Sequence, residues 1–261
     1  MIYIIFLLIS FFASIVGVIC GIGGGVVIKP LLDAFGILDV KTISFLSGCT
    51  VLAMSSYSFI VSQVKKESLL DIKISTPLAF GAALGGVIGK NLFQNMIQSF
   101  DQNYVGAIQA ICLMLVTFGT LLYTINKSKI KTHHVVNPVI CAMVGTVLGI
   151  LSSFLGIGGG PINLVVLFYF FSMQTKTAAQ NSLYVILFSQ FTSLFNSVVT
   201  ATIPQFSIPL LVLMCTGGVL GGYLGRKINR KISNQVIDRL FMDLMGVIIF
   251  INIYNVYRFL S

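Results

Sequence analysis

Four glycines in five residues, GIGGG, stand at positions 21–25 and again at 156–160. Glycine tolerates positive φ and lets another backbone or a ligand come close. After each cluster an apolar stretch can restart a helix, from Val26 in the first case and from Pro161 in the second, where proline suits the first helical position. A helix beginning there presents N–H groups without intrahelical partners and the positive end of its dipole, which is the chemistry of an anion site. The expected lining is Gly23, Gly24, Gly25, Gly158, Gly159 and Gly160. Lys29 follows four residues past the first cluster, Asn163 just past Pro161, and Asn181 and Ser182 open the next apolar run. Lys29 also has Asp33 at i+4 as a local partner. Catalysis has no comparable constellation. His133 and His134 share one polar loop, and the five cysteines (Cys20, Cys49, Cys112, Cys141, Cys215) form no CxxC pair. An enzyme, a metal site and a cofactor are not expected; the cysteines read as small packing residues.

Composition decides what kind of scaffold must hold these residues. Of 261 residues 56% are hydrophobic, and mean hydropathy is +0.99. Only 9% are charged, where a soluble domain carries about 25%. Apolar runs at 2–20, 43–64 and 105–125 approach the roughly 20 residues a helix needs to cross a bilayer. They do not alternate as barrel strands would. The reading is an all-α polytopic membrane protein. In a soluble protein a net charge of +9 would point to nucleic acid; here the basic residues fall in short loops and report topology instead. Expected partners are the lipid bilayer and a small anion, with no nucleic acid; a homo-oligomer stays open. Residues 1–10 carry no basic segment, so the first run is kept in the mature fold.

The chain repeats itself. GIGGG recurs at an offset of 135, as do Val40-Lys41-Thr42 and Thr175-Lys176-Thr177, while LGGVIGK at 84–90 matches LGGYLGR at 220–226 at an offset of 136. The polar stretch 126–134 separates a first membrane repeat, 1–130, from a second, 131–261. In each, three long runs follow the glycine cluster: about 42–63, 74–90 and 104–125, then about 177–200, 207–225 and 237–257. The stretch directly after each GIGGG is too short to cross, spanning about half of a hydrocarbon core near 30 Å. If every stretch crossed, the 16 basic residues would divide 7 against 9. If each GIGGG is instead the tip of a re-entrant hairpin, they divide 12 against 4, which orients the chain with both termini extracytoplasmic. Three crossings per repeat then invert the second repeat relative to the first, an arrangement common in secondary transporters. The glycines of 85–89 and 221–225 read as helix-packing residues.

GIGGG followed by a proline-containing apolar stretch, repeated as GIGGGPINLVVL and followed by TKTAAQNSLYVILFS, resembles the TauE/SafE family of sulfite and organosulfonate exporters over essentially the whole chain. The resemblance implies a bacterial inner-membrane permease for small sulfur-containing oxyanions such as sulfite. Gln180, Asn181 and Ser182 depart from the family pattern, though their amide and hydroxyl groups still suit an oxyanion. An anion channel using the same pocket is the alternative. Gln190 and Asn196 read as interhelical hydrogen-bonding residues, Lys41 and Lys176 as interfacial anchors, and Asp243 as an interfacial partner of Arg239, with a proton-coupling carboxylate as the alternative.

Overall fold

A computed structural model describes residues 2–66 and 68–261. Among them the chain forms ten α-helices and no strand: α1 (Ile2–Cys20), α2 (Gly25–Phe35), α3 (Val40–Val64), α4 (Ile72–Ser99), α5 (Gln102–Asn126), α6 (Pro138–Phe154), α7 (Pro161–Phe171), α8 (Thr175–Val199), α9 (Ile208–Lys231) and α10 (Asn234–Leu260). Six of them, α1, α3, α4, α5, α8 and α9, are long and apolar enough to cross a membrane. Large apolar side chains such as Phe80, Phe191 and Phe250 face outward, at 65%, 57% and 75% exposure. In water so many would form an aggregating patch; against lipid they are the solvated surface.

Helix ends follow local chemistry. Asp39 accepts from Thr42 N–H to start α3, Asp101 and Asn137 cap α5 and α6, and Gly36 and Ser172 end the two short helices in the left-handed conformation. Two helices run well past the expected end, α9 continuing from the 207–225 run to Lys231. The run at 74–90 continues as helix to Ser99, past Lys90, Asn91 and Gln94. Asn91 and Gln94 do not end the helix because neighbours receive them: Asn91 accepts from Asn196 Nδ2 at 2.7 Å, and Gln94 donates to Thr202 Oγ1.

Glycines set the closest approaches. Gly81, Gly85 and Gly89 of α4 face Ala142, Thr146 and Ile150 of α6, so those two helices run parallel. One repeat away, Gly217, Gly221 and Gly225 of α9 face Leu7, Phe11 and Ile15 of α1 in the same way. The partners differ by 135 and the glycines by 136, the offsets of the sequence repeat. Helices before residue 130 therefore pack closely on helices after it. By contrast α3 and α8, which correspond to each other, run antiparallel. Gly48 lies against Gln190 and Leu194, while Phe59 stacks on Tyr184 at 5.3 Å. The equivalent pair α5 and α10 is antiparallel too, with Gly106 beside Phe259 at one end and Lys127 paired with Asp238 at the other.

Connections gather at two ends. At one end Leu69 N–H donates to Gln180, Lys127 pairs with Asp238, His133 N–H donates to Tyr169 O, and Lys176 reaches Arg230 O at 3.5 Å. At the other, Tyr3 meets Ser207, Thr42 meets Gln205 O, and Arg258 donates to Asp33 O.

Candidate functional site

The two glycine breaks meet in the middle of the bundle. A Cβ on Gly25 would collide with the Ile157 carbonyl, one on Gly159 would lie 3.0 Å from the Ile22 carbonyl, and one on Gly23 would lie 3.6 Å from the Gly158 carbonyl. Gly23, Gly158 and Gly159 have φ of +77°, +67° and +150°, where side chains are strained. Val51 of α3 and Ile186 of α8, 135 positions apart, flank the crossing. Gly21 abuts Ala179 as Gly156 abuts Ser44, again an exchange of partners at the repeat offset.

What this crossing offers is donors. Among the described residues, the N–H groups of Gly23, Gly24, Gly25, Gly158, Gly159 and Gly160 donate to no other backbone carbonyl and to no side chain. All six residues are buried. Ser47 and Ser182, equivalent positions on α3 and α8, are fully buried, and neither hydroxyl has a partner. The Ser47 Oγ lies 3.0 Å from the position of a Cβ on Gly25. Asn163, at the start of α7, is 2% exposed with its Oδ1 unpartnered. Buried polar groups are nearly always satisfied, so a concentration of orphans around two helix N-termini calls for a ligand or water. A small anion with several acceptor oxygens matches such a donor set.

Two expected lining residues are otherwise engaged. The Lys29 ammonium sits 2.6 Å from Asp33 Oδ2, both side chains nearly fully buried, although its methylene chain borders Gly156. Arg258 and Asn255 of α10 donate to the carbonyls of Asp33 and Pro30, so that α10 braces this turn of α2. Asn181 accepts from Ser75 Oγ and Asp71 N–H and donates to the carbonyls of Leu69 and Thr177. It ties the α3–α4 loop to α8, next to Ser182 but pointing away from the crossing.

The remaining polar residues fall where their surroundings satisfy them. Gln190 is buried beside Gly48, Asn196 pairs with Asn91, and Gln180 receives Leu69 N–H. Asp243 is exposed on α10 in a groove with Arg239, and His133 packs edge-on to Tyr169 at 5.1 Å.

Sequence reasoning missed a cavity. It is a small cleft between the ends of α1, α3 and α9 and the start of α8. Ser58, Ser62, Gln180, Arg226, Asn229 and Arg230 supply its polar lining, and Val18 and Ala179 close it toward the first break. Ser58 and Ser62 are each 6% exposed with unpartnered hydroxyls, while Arg226 donates to the Ser58 carbonyl at 2.7 Å. The signal was available in the repeat: Ser193 and Ser197 stand 135 positions after these serines.

Residues 6–252 match the family described as sulfite exporter TauE/SafE. No curated protein and no solved structure matches the chain.

Proposed function

The chain belongs to the TauE/SafE sulfite exporter family and is a multi-pass membrane transporter; we propose that it carries a small sulfur oxyanion, sulfite or an organosulfonate, outward across the bacterial inner membrane by alternating access. The observation that carries this reading is the crossing of two helix N-termini whose six glycine N–H groups find no protein acceptor. Such a site binds an anion by dipoles rather than by a fixed opposite charge, so it can hold the ion and also release it. In the proposal Gly23, Gly24, Gly25, Gly158, Gly159 and Gly160 hold the oxygens, Ser182 and Asn163 add direction, and Ser47 joins them as the equivalent of Ser182. Lys29 borders the site with its charge already met by Asp33. Asn181 holds the loop beside it.

The proposed architecture is two inverted repeats, 1–130 and 131–261, each a re-entrant hairpin with its tip at GIGGG plus three crossing helices. It is supported by the antiparallel run of the equivalent helices α3 and α8 and by the exchange of partners at the 135 offset. An axis relating antiparallel equivalents lies in the membrane plane, so one repeat rocking against the other would open the crossing to each face in turn. An anion channel is the competing reading. It is distinguished by exchange of labelled sulfite across liposome membranes, in which a carrier couples inward and outward movement and a channel does not.

The orientation is proposed from charge. The end carrying Lys65, Lys129, Lys176 and Arg230 is the basic one and is placed in the cytoplasm, with both termini outside. Single cysteines at 65, 129 and 230 on a cysteine-free background should stay unlabelled by an impermeant maleimide in intact cells, whereas a cysteine at 261 should label. Labelling of position 230 from outside would reverse the orientation.

A further inference from the structure

Lys90 is 5% exposed in the interior of α4, and among the described residues no carboxylate lies within ion-pairing distance of it. Its ammonium lies over the Phe93 ring, 5.2 Å from the centroid. The other ionisable groups facing it are Lys41 and Cys49 of α3, neither of which supplies a negative charge at neutral pH. An ammonium buried in a membrane bundle without a counter-ion is costly, and an anion that comes and goes would offset that cost.

Its surroundings suit that anion. Gly86, one turn before Lys90, packs against Ser189 and Thr192 of the parallel helix α8, and Asn91 pairs with Asn196. In that register Lys90 stands level with Ser193 and Ser197, which are 5% and 0% exposed, the Ser197 hydroxyl donating to the Ser193 carbonyl at 3.2 Å. The repeat builds the same set once more at the opposite end: Arg226 answers to Lys90 at the offset of 136, and Ser58 and Ser62 answer to Ser193 and Ser197 at 135. There the cation and both serines line the cavity, and Arg226 bonds to the Ser58 carbonyl. Nothing in the glycine crossing requires a cation and two serines one helical turn apart to recur on both sides of it.

We propose that Lys90, with Ser193 and Ser197, forms an oxyanion-binding station on the extracytoplasmic side of the crossing, and that Arg226 with Ser58 and Ser62 forms its cytoplasmic counterpart. The substrate anion passes from the Arg226 station through the crossing to the Lys90 station. A cation at each end lowers the energy of the anion where it sheds and regains water, while the crossing between them holds it by dipoles without a free cation. The inference rests on the oxyanion-transporter reading, and the experiment separates the two.

Sulfite binding to the purified wild-type chain, measured by equilibrium dialysis with labelled sulfite, comes first; absence of saturable binding there would defeat the transporter reading itself. With wild-type binding established, Lys90→Gln should weaken sulfite binding at least about tenfold, the scale of a lost charge-assisted hydrogen bond, and Lys90→Arg should stay within about threefold of wild type. Should Lys90→Gln fail to fold, the native lysine is read in place. The chain has no tryptophan, so Phe93→Trp puts a single indole beside Lys90. Sulfite should then change its emission saturably, and chloride at equal ionic strength should not. A folded Lys90→Gln that binds sulfite like wild type, or an indole at 93 that ignores sulfite, would overturn the Lys90 station and leave the crossing untouched.

Discussion

Replacing Gly25 with Val should abolish sulfite transport and lower the thermal midpoint of the purified protein, because the new side chain starts from a Cβ that already overlaps the Ile157 carbonyl. That obstacle is backbone of the opposite break and cannot swing aside as a side-chain tip would. Overpacking of this kind costs about 1–3 kcal/mol even where neighbours relax. Here relaxation means driving the two helix N-termini apart, which also dismantles the donor set. Gly24→Ala provides the contrast. Gly24 has φ of −67°, and a Cβ there would meet Ser14 Oγ at 3.0 Å and the Ser14 Cα and N at 3.2 and 3.3 Å, contacts that a small shift of α1 relieves where the overlap at Gly25 cannot be relieved. It should retain most of its stability and part of its transport. Comparable transport by Gly25→Val and wild type, in membranes holding equal protein, would make the crossing a packing feature.

Asp33→Asn is expected to be the most destabilising single-atom-scale change in the chain. Lys29 and Asp33 are each 3% exposed, and the carboxylate is the ammonium's partner at 2.6 Å. Neutralising one member of a buried pair leaves the other charged without compensation, a loss of about 3–5 kcal/mol. For a chain of this size the thermal midpoint should fall by on the order of 10 °C. Removing both charges, Lys29→Met with Asp33→Leu, should recover most of that loss, because packing replaces a pair that was expensive to bury. The double variant also decides what Lys29 does. With its charge already met by Asp33, sulfite affinity should remain within about threefold of wild type. A large loss of affinity in a stable double variant would mean that Lys29 attracts the anion directly.

The glycine clusters and five of the long apolar helices were legible because each leaves a local mark, four glycines in five residues or an apolar run. By contrast α1, expected as a hairpin limb, is itself long and apolar enough to cross, and α10, expected to cross, is not among the six such helices of the described residues. The offset proved to be more than a sequence device, since it predicts which residues touch across the bundle, as with Gly85 on Thr146 and Gly221 on Phe11. Lys29 and Asn181 show the limit of this kind of reading. Both stand at the right distance along the chain from a glycine break, but sequence spacing cannot say whether a polar side chain turns toward a cavity or toward a nearer partner. Asp33 takes the first, and the backbone of the α3–α4 loop takes the second. Ser47 was legible only as the equivalent of Ser182 at the offset of 135, and Ser58 and Ser62 carried no signal as single serines in an apolar helix, where bonding back to a carbonyl of the preceding turn is the common outcome. The repetition of these two at 193 and 197 was the available clue. Lys90 sat at the end of an apolar run and read as a boundary, because its setting depends on α8, more than a hundred positions away.

The central claim is that a small oxyanion is bound at the crossing and carried, and counterflow tests it most directly. Liposomes containing the wild-type protein are loaded with unlabelled sulfite and diluted into a trace of labelled sulfite. A carrier with alternating access exchanges outgoing unlabelled for incoming labelled anion, so the label should rise transiently above its equilibrium level inside. The overshoot should vanish when the internal sulfite is replaced by chloride and should be absent from liposomes holding Gly25→Val. Label that enters no faster than into protein-free liposomes, or that enters without overshoot whatever the internal anion, would contradict the account.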